Sequence, residues 1–387
     1  MSLACDLAGR CGGCPLLPIS LEHQSHLKQQ MFLDAWHACG LPVQPSVVLH
    51  VPQAQGVRAR VDLTVRTGNA PDARPVLGFY ARAEKQLLEV THCPMLNSEL
   101  DRWLHAFGQD LPAISVGSVR LRVSPSGERG VWLDFSHLQT QALLESQDWL
   151  ERLRQRAHVE IGQRHKSLER RGEKLHLARQ PQLKPWFNTW LGETEQEAAL
   201  YCTVGSFTQP GFEVNRVLVR QVRRALLELD PGRNRRWLEL GAGIGNFTLP
   251  LLAEGLAVTA VELETGALKG LAHAAQLQGL HTQLRLAGLD FQHPNPILKD
   301  MLEQHDALLV DPPRSGLGKL TVALAELLPS RRPRALLYVS CHAESLRHDL
   351  QQLLPLGYAL RTLEGVDQFP FSAHAEWIVT LEREQQP

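Results

Sequence analysis

Residues 238–247 read LELGAGIGNF: an apolar run, then Gly241, Gly243 and Gly245, then the opening of a helix. Glycines in that rhythm let a chain leave a buried strand, turn tightly and bring its backbone against a ligand. Outward from this stretch, the chain alternates helical periodicity with short apolar runs. A helix over 213–229 precedes Trp237–Leu240, and another starts at Phe247. Then come Ala257–Val261, a helix over 264–278, Gln283–Ala287, Ala307–Val310, a helix near 319–328, Ala335–Val339, a helix over 343–353 and Trp377–Glu382. This pattern predicts an α/β, doubly wound domain with a mostly parallel sheet, whose ligands sit at the carboxyl ends of its strands.

Upstream the rhythm differs. Residues 1–20 hold three cysteines among Gly and Pro and read as a loop. In Leu21–Cys39, Leu27, Met31, Ala35 and Ala38 recur at helical spacing, and Gly40 with Pro42 ends the helix. Alternating stretches follow at Val57–Arg66, Val76–Tyr80, Val119–Val123 and Val131–Phe135, then a helix at Trp149–Ala157 and strands at Val159–Gln163 and Leu175–Ala178. These predict an α+β accessory domain built on an antiparallel sheet. A chain of 387 residues exceeds one ordinary core, which agrees with more than one domain.

No apolar run is long enough to span a bilayer, and the N-terminus lacks the basic and apolar segments of a secretory signal, so a cytoplasmic address is expected. Seven unevenly placed cysteines fit a metal site plus a reactive thiol better than a disulfide framework. The net charge of −1 argues against a nucleic-acid partner, but its distribution tempers that argument. Between Glu151 and Lys184 ten Lys/Arg face four Glu, and Arg216, Arg220, Arg223, Arg224, Arg233, Arg235 and Arg236 form a second basic group. Each run is either a solvated face or part of a basic surface.

Four motifs carry chemistry. After the glycine turn, Glu262 closes the next strand, where a carboxylate accepts hydrogen bonds from two ribose hydroxyls. A dinucleotide site would share these features, but the spacing is GxGxG, with Asn246 where a third glycine would stand, which favours S-adenosylmethionine. In LLVDPPRSG (308–316), a buried strand ends in Asp311, and two prolines stiffen the loop that carries Arg314. An aromatic at the Arg314 position would suit amino-group methylation of adenine, and Arg does not. In LLYVSCHAESL (336–346), a strand delivers Cys341 to the sheet edge, as a small buried hydrophobe or as a nucleophile. In FPFSAHAEWIVTLE (369–382), Glu376 stands among Phe369, Phe371 and Trp377, where shielding would raise its pKa and suit it to proton transfer. It could equally open a strand at the surface, and His374 is a competing base.

Taken together, these residues resemble the RNA uracil-5-methyltransferase family, over nearly the whole chain. The resemblance implies a Rossmann-like class I methyltransferase domain over 206–387, an α+β RNA-contacting accessory domain over 41–205 and a cluster-binding loop and helix over 1–40. It implies Cys341 as nucleophile, Glu376 as base, and cofactor contacts at Gln209 (from SFTQP, 206–210), Gly241, Asn246, Glu262 and Asp311, with Asp290 of AGLDF on the adenine side. Cys5, Cys11 and Cys14, spaced C-x5-C-x2-C, with Cys93 following, are similar to the family's [4Fe-4S] ligands, and four thiolates also suit zinc. Cys39 and Cys202 read as structural thiols. Arg58 matches a basic position able to contact RNA. With no small β-barrel ahead of the cluster loop, the chain looks most similar to the shorter 23S rRNA type, with tRNA the alternative substrate, acting as a monomer. It departs from the family at His342 and Ala343, where Asn and Pro usually follow the nucleophile. Three competing classes remain: a non-catalytic RNA-binding protein on the same fold, an iron–sulfur redox or radical enzyme, whose CxxxCxxC pattern is absent, and a cytosine-5 enzyme, which would carry a second cysteine in the DPPR loop.

Overall fold

A computed structural model describes residues 4–41, 47–68, 73–82, 86–112, 114–162, 166–178 and 182–383. Pro42, Gln163, Arg164 and Arg179, used in the sequence expectations, lie outside the described residues. The chain forms two compact units, one of residues 1–20, 53–187 and 202–212, the other of 21–52, 188–201 and 213–387.

The second unit is built on an eight-stranded sheet. Its order is Val47–His50, Tyr358–Val366, Glu376–Arg383, Ala335–Ser340, Ala307–Val310, Trp237–Leu240, Val258–Val261, Leu284–Ala287. Every neighbouring pair is parallel except those made by Glu376–Arg383, which runs antiparallel to both its neighbours. From Trp237–Leu240 the chain winds outward through Val258–Val261 to Leu284–Ala287, then returns to Ala307–Val310 on the other side. The switch point therefore lies between Trp237–Leu240 and Ala307–Val310, where a crevice opens at the strand ends. The four-residue strands at the centre are buried at every position because helices cover both faces. Sequence periodicity anticipated these strands. It did not anticipate Tyr358–Val366, Val47–His50 or the helix Pro296–Gln304.

The helix Leu21–Ala38 corrects two expectations. It belongs to the second unit and not with the N-terminal loop. Its buried face is Gln24, Lys28, Phe32 and Trp36, whereas Met31, expected inward, is 47% exposed. Phe32 stacks against Trp377, with ring centroids 4.0 Å apart, and Trp36 packs into the same core. The catalytic unit's main run also starts later than position 206, because 202–212 fold with the first unit, while the hairpin residues 188–201 fold with the second.

The first unit is a second eight-stranded sheet, ordered Leu87–Glu89, Pro75–Tyr80, Arg60–Thr67, Val116–Val123, Arg129–Phe135, His158–Ile161, Lys166–Arg171, Lys174–Ala178. It is antiparallel except between Arg129–Phe135 and His158–Ile161, which two helices connect. Ser98–Gly108 and Gln147–Arg156 cover the sheet with Leu100, Trp103, Phe107, Trp149 and Leu153. Asn97 begins the first of these helices by accepting a hydrogen bond from Leu100 N at 2.8 Å. The N-terminal loop joins this sheet through a bridge between Cys11 and Ala81 and through Leu7, which packs on the core.

Because Trp36 is 1% exposed in the second unit's core, Trp36→Ala should cost about 3–5 kcal/mol through the cavity it leaves. A denaturant titration followed by circular dichroism should show the unfolding free energy fall by that amount, and a variant as stable as the parent would place the helix outside the folded core.

Candidate active site

The site grows from the carboxyl edge of the second unit's sheet. Gly241 leaves the strand Trp237–Leu240 with φ +81°, and its N–H donates to Val261 O at 2.9 Å. A Cβ at Gly241 would stand 2.5 Å from Asp311 O, so glycine is what lets the two strand ends approach at the switch point. A Cβ at Gly245 would meet Leu271 at 2.5 Å, whereas at Gly243 it would meet open space, the side left for a ligand. Glu262 Oε2 accepts from Gly243 N at 3.0 Å and Oε1 from Glu264 N at 2.8 Å. Its carboxylate is therefore fixed at the end of the neighbouring strand.

Asn246 stands directly after Gly245 at the end of the glycine turn. Its side-chain amide pairs reciprocally with that of Asn215, at 2.9 and 2.8 Å, and Thr189 Oγ1 donates to its carbonyl at 2.6 Å. The glycine turn is thus tied to the helix Phe212–Leu229. Asp290, at the edge strand, accepts from Gln292 N at 3.0 Å and pairs with His293 at 2.8 Å, partly exposed.

Cys341 follows the strand Ala335–Ser340 directly. The antiparallel ladder ends at the pair Ser340–Trp377, the next residues along the two chains are Cys341 and Glu376, and Glu376 lies near enough to act on the thiol. Glu376 is the first residue of its strand and is buried. Asp311 ends the next strand but one. Burial, then the Cys341 neighbours Glu376 and Asp311, push the Cys341 thiol up to about 11, with Arg314 opposing. Burial raises Asp311 to about 7, aided by Glu262. Burial likewise raises Glu376 well above the usual carboxylate range, helped by Asp311 and opposed by Arg314. Cys341 and Glu376 thus share the Arg314 guanidinium as an opposing neighbour. His374, the competing base, is exposed, and burial of part of its ring and the charges of Arg314, His342 and Lys28 lower its pKa.

Two loops beside the nucleophile are stitched together. Tyr338 OH donates to Asp349 Oδ2 at 2.7 Å, and Leu317 N donates to the same oxygen at 2.9 Å, binding the Arg314 loop to the helix Ala343–Leu353. His342 caps that helix, its Nδ1 accepting from Ser345 N at 3.3 Å. The departure from Asn at this position therefore keeps an acceptor where the helix needs one.

Sequence reasoning passed over Glu239. It is 1% exposed within the strand Trp237–Leu240, and neither carboxylate oxygen has a well-formed hydrogen bond among the described residues. Burial raises it to about 8, with Thr248 opposing and Asp311 and Glu262 adding. Its signal was legible: an acid inside an apolar run, one residue before a glycine turn.

The remaining expected residues lie in the first unit. Gln209 is buried on the segment Ser206–Pro210. Arg122, itself buried, donates to Ser206 O at 2.6 Å, Thr203 O at 3.2 Å and Thr208 Oγ1 at 3.3 Å, and Arg120 donates to Gly205 O. Arg60 lies over the ring of Phe207, which is 67% exposed. Cys202, read as a structural thiol, is buried and accepts from Arg122 at 3.4 Å. Burial first, then Cys93, Cys11 and Cys5, raise Cys14 to about 11, while Arg58 opposes. Burial raises Cys93 too, and Cys5 and Cys11 act on it in the same sense. The four thiols are therefore electrostatic neighbours, with Arg58 beside them. Among the described residues no three His, Cys, Asp or Glu side chains are drawn tightly enough together to hold a metal ion.

The second basic run is paired throughout and the first in part. All seven arginines of the second group pair with Glu195, Glu254, Glu364, Glu382 or Asp306. Of the first, Arg152 pairs with Asp110, Arg154 and Arg170 with Glu151, and Arg171 with Glu169. In the second unit these arginines tie helix and strand ends together. Among the described residues no helix is long and apolar enough to cross a membrane.

A model of the tRNA (uracil-5-)-methyltransferase family matches residues 189–384. An uncharacterised RNA methyltransferase of Bdellovibrio bacteriovorus is 33% identical, over 99% of this chain and 96% of that protein. The 23S rRNA (uracil(1939)-C(5))-methyltransferases of Chromohalobacter salexigens and Bordetella parapertussis are 29% and 30% identical, each over 98% of this chain and over 76% and 79% of their own lengths. The tRNA (uracil-54, C5)-methyltransferase of Pyrococcus abyssi, solved with S-adenosyl-L-homocysteine, shares the fold. Its TM-score is 0.66 at 18% identity, covering 96% of this chain and 86% of that one.

Two outcomes follow from the electrostatics. Alkylation of Cys341 by iodoacetamide should climb with pH without levelling below about pH 10, since only the thiolate reacts, and Arg314→Ala should move the climb further up. A plateau near neutrality would mean that the thiol is not held up by its neighbours. For Glu239, the folded protein keeps a proton that the unfolded chain releases, so its stabilising contribution is full below 4.5 and lost as pH rises through about 8. Melting curves of Glu239→Gln should fall less steeply than the parent's between about pH 5 and pH 9; equal slopes would show that the carboxyl is not buried as described.

Proposed function

The chain belongs to the tRNA (uracil-5-)-methyltransferase family, and on that premise we propose that it methylates C5 of a uracil in ribosomal RNA, using S-adenosylmethionine as donor. The observation that carries the proposal is the antiparallel ladder ending at Ser340–Trp377, which brings Cys341 and Glu376 to the carboxyl edge of the sheet as electrostatic neighbours. Relatives named for 23S rRNA that align along almost the full chain support ribosomal over transfer RNA as substrate.

Uracil C5 is too weak a nucleophile to take a methyl group unaided. In the proposed reaction the Cys341 thiolate adds to C6, and the electron pair of the C5–C6 double bond passes into the ring as an enolate. C5 then attacks the donor's methyl carbon, and the sulfonium leaves as the neutral thioether. The Glu376 carboxylate removes the C5 proton, the C5–H pair rebuilds the double bond, and the thiolate is expelled from C6. A buried carboxylate with a raised pKa takes up a proton readily at neutral pH, which suits it to that step. Glu262 is proposed to hold the ribose hydroxyls, Gly241 and Gly243 to offer close backbone, and Asp311 and Asp290 to complete the donor site. Asn246, on a turn held through Asn215, is proposed to contact the donor as the family resemblance implies. Gln209 keeps the cofactor-contact role that the family resemblance implies. A uracil within a folded RNA must be flipped out to reach the thiol.

We also propose that Cys5, Cys11, Cys14 and Cys93 bind a [4Fe-4S] cluster. Four thiols in one electrostatic neighbourhood form a donor set suited to iron–sulfur or zinc. These cysteines would order the N-terminal loop, and no step of methyl transfer depends on them.

The test is incubation of the protein with labelled S-adenosylmethionine and ribosomal RNA lacking 5-methyluridine, with nucleosides read by mass spectrometry. The parent should form 5-methyluridine, Cys341→Ala none above background, and Glu376→Gln a covalent protein–RNA adduct with turnover lowered at least about 100-fold. Label in another nucleoside, or product from Cys341→Ala, would sink the mechanism.

A further inference from the structure

The loop Asp367–Ala375 leads straight into Glu376, and its shape is imposed from outside. Phe371 sits at φ +63°, a left-handed conformation that residues with a bulky side chain avoid, yet it is buried. Two side chains of the helix Leu21–Ala38 hold the loop there. Gln24 Oε1 accepts from Phe371 N at 2.8 Å. Lys28 Nζ donates to both Asp367 oxygens, at 2.8 and 2.7 Å, and to Phe369 O at 3.1 Å. One turn further, Phe32 stacks on Trp377, the residue after Glu376. The helix therefore grips the chain on both sides of the base.

The gripping pair is also an unusual choice for packing alone. Lys28 and Asp367 are 1% and 2% exposed, and apolar residues of similar volume commonly serve a buried site at least as well. Burial works against both charges, and each charge sustains the other. What apolar residues would not supply is a directional hold on a loop carbonyl and carboxylate.

We propose that Gln24 and Lys28 form a clamp that aims the Glu376 carboxylate, so that both are positioning residues for release of the covalent RNA adduct. The inference rests on the reading in which Glu376 is the base. A clamp of this kind acts on one step. Addition of Cys341 and methyl transfer need the thiol, the donor and the uracil, whereas proton removal needs the carboxylate in line with C5.

The experiment compares the full chain with Lys28→Met, Lys28→Arg, Gln24→Ala and Glu376→Gln. Each is mixed with S-adenosylmethionine and unmethylated ribosomal RNA, quenched over time and resolved on a denaturing gel, with donor affinity measured separately. Lys28→Met and Gln24→Ala should bind the donor and form the adduct like the parent, but release it roughly tenfold or more slowly, as expected when a reacting group is misplaced by a fraction of an ångström. Lys28→Arg should recover part of the release rate. Equal slowing of formation and release, or no change in either, would overturn the clamp. If Lys28→Met loses donor binding because it does not fold, Gln24→Ala, which leaves the ion pair in place, decides alone. Should Glu376→Gln release its adduct at the parent's rate, Glu376 is not the base, and the clamp falls with that reading and not through its own failure.

Discussion

Glu376–Arg383 enters the sheet backwards, between Tyr358–Val366 and Ala335–Ser340. Every other strand delivers its last residue to the functional edge: Leu240 into the glycine turn, Val261 into Glu262, Val310 into Asp311, Ser340 into Cys341. A strand that runs the other way brings its first residue to that edge. That reversal sets a residue near the end of the chain opposite the thiol, with a ladder of backbone hydrogen bonds holding the alignment. Shifting the register by one residue would turn Glu376 to the other face of the sheet and remove it from Cys341 altogether.

The electrostatics follow from that arrangement. Asp311, Glu376 and Cys341 are all shielded from water, Asp311 raises both Glu376 and Cys341, and Arg314 opposes the rise at these two. Glu239, beneath the glycine turn, adds a further buried carboxyl. Stability and reactivity are coupled here: the burial that disfavours charged carboxylates in the resting protein is the same burial that makes their basicity useful.

The arginines of the second basic group end in carboxylates and tie helix and strand termini together. In the first unit, Arg120 and Arg122 reach backbone carbonyls of the segment preceding Gln209, and Arg60, lowered to about 9 by burial and by Arg122 and Arg120, lies over Phe207. A census of charge along the chain treats all of them alike, whereas their partners come from strands far apart in sequence.

Local pattern was enough for the central strands, because four buried residues between two helices have no other stable arrangement, and for Gly241, Glu262, Asp311, Cys341 and Glu376, each at a strand end marked by its own turn chemistry. The helix Pro296–Gln304 was passed over by periodicity, although Asn295 and Pro296 carry the signal of an N-cap and first turn. Tyr358–Val366 was not legible, because its apolar residues are interrupted by charged ones where it meets the N-terminal strand Val47–His50. Nor was the working face of Leu21–Ala38. Periodicity counts apolar side chains and pointed to Met31, whereas the fold buries Gln24 and Lys28 because their partners, Phe371 and Asp367, arrive from more than 300 positions away. Which residues stand at the strand ends was therefore written in short motifs. Which of them face one another, and which polar side chains are buried to hold them, was decided only when distant strands paired, because burial and hydrogen bonding belong to the folded neighbourhood and not to the local sequence.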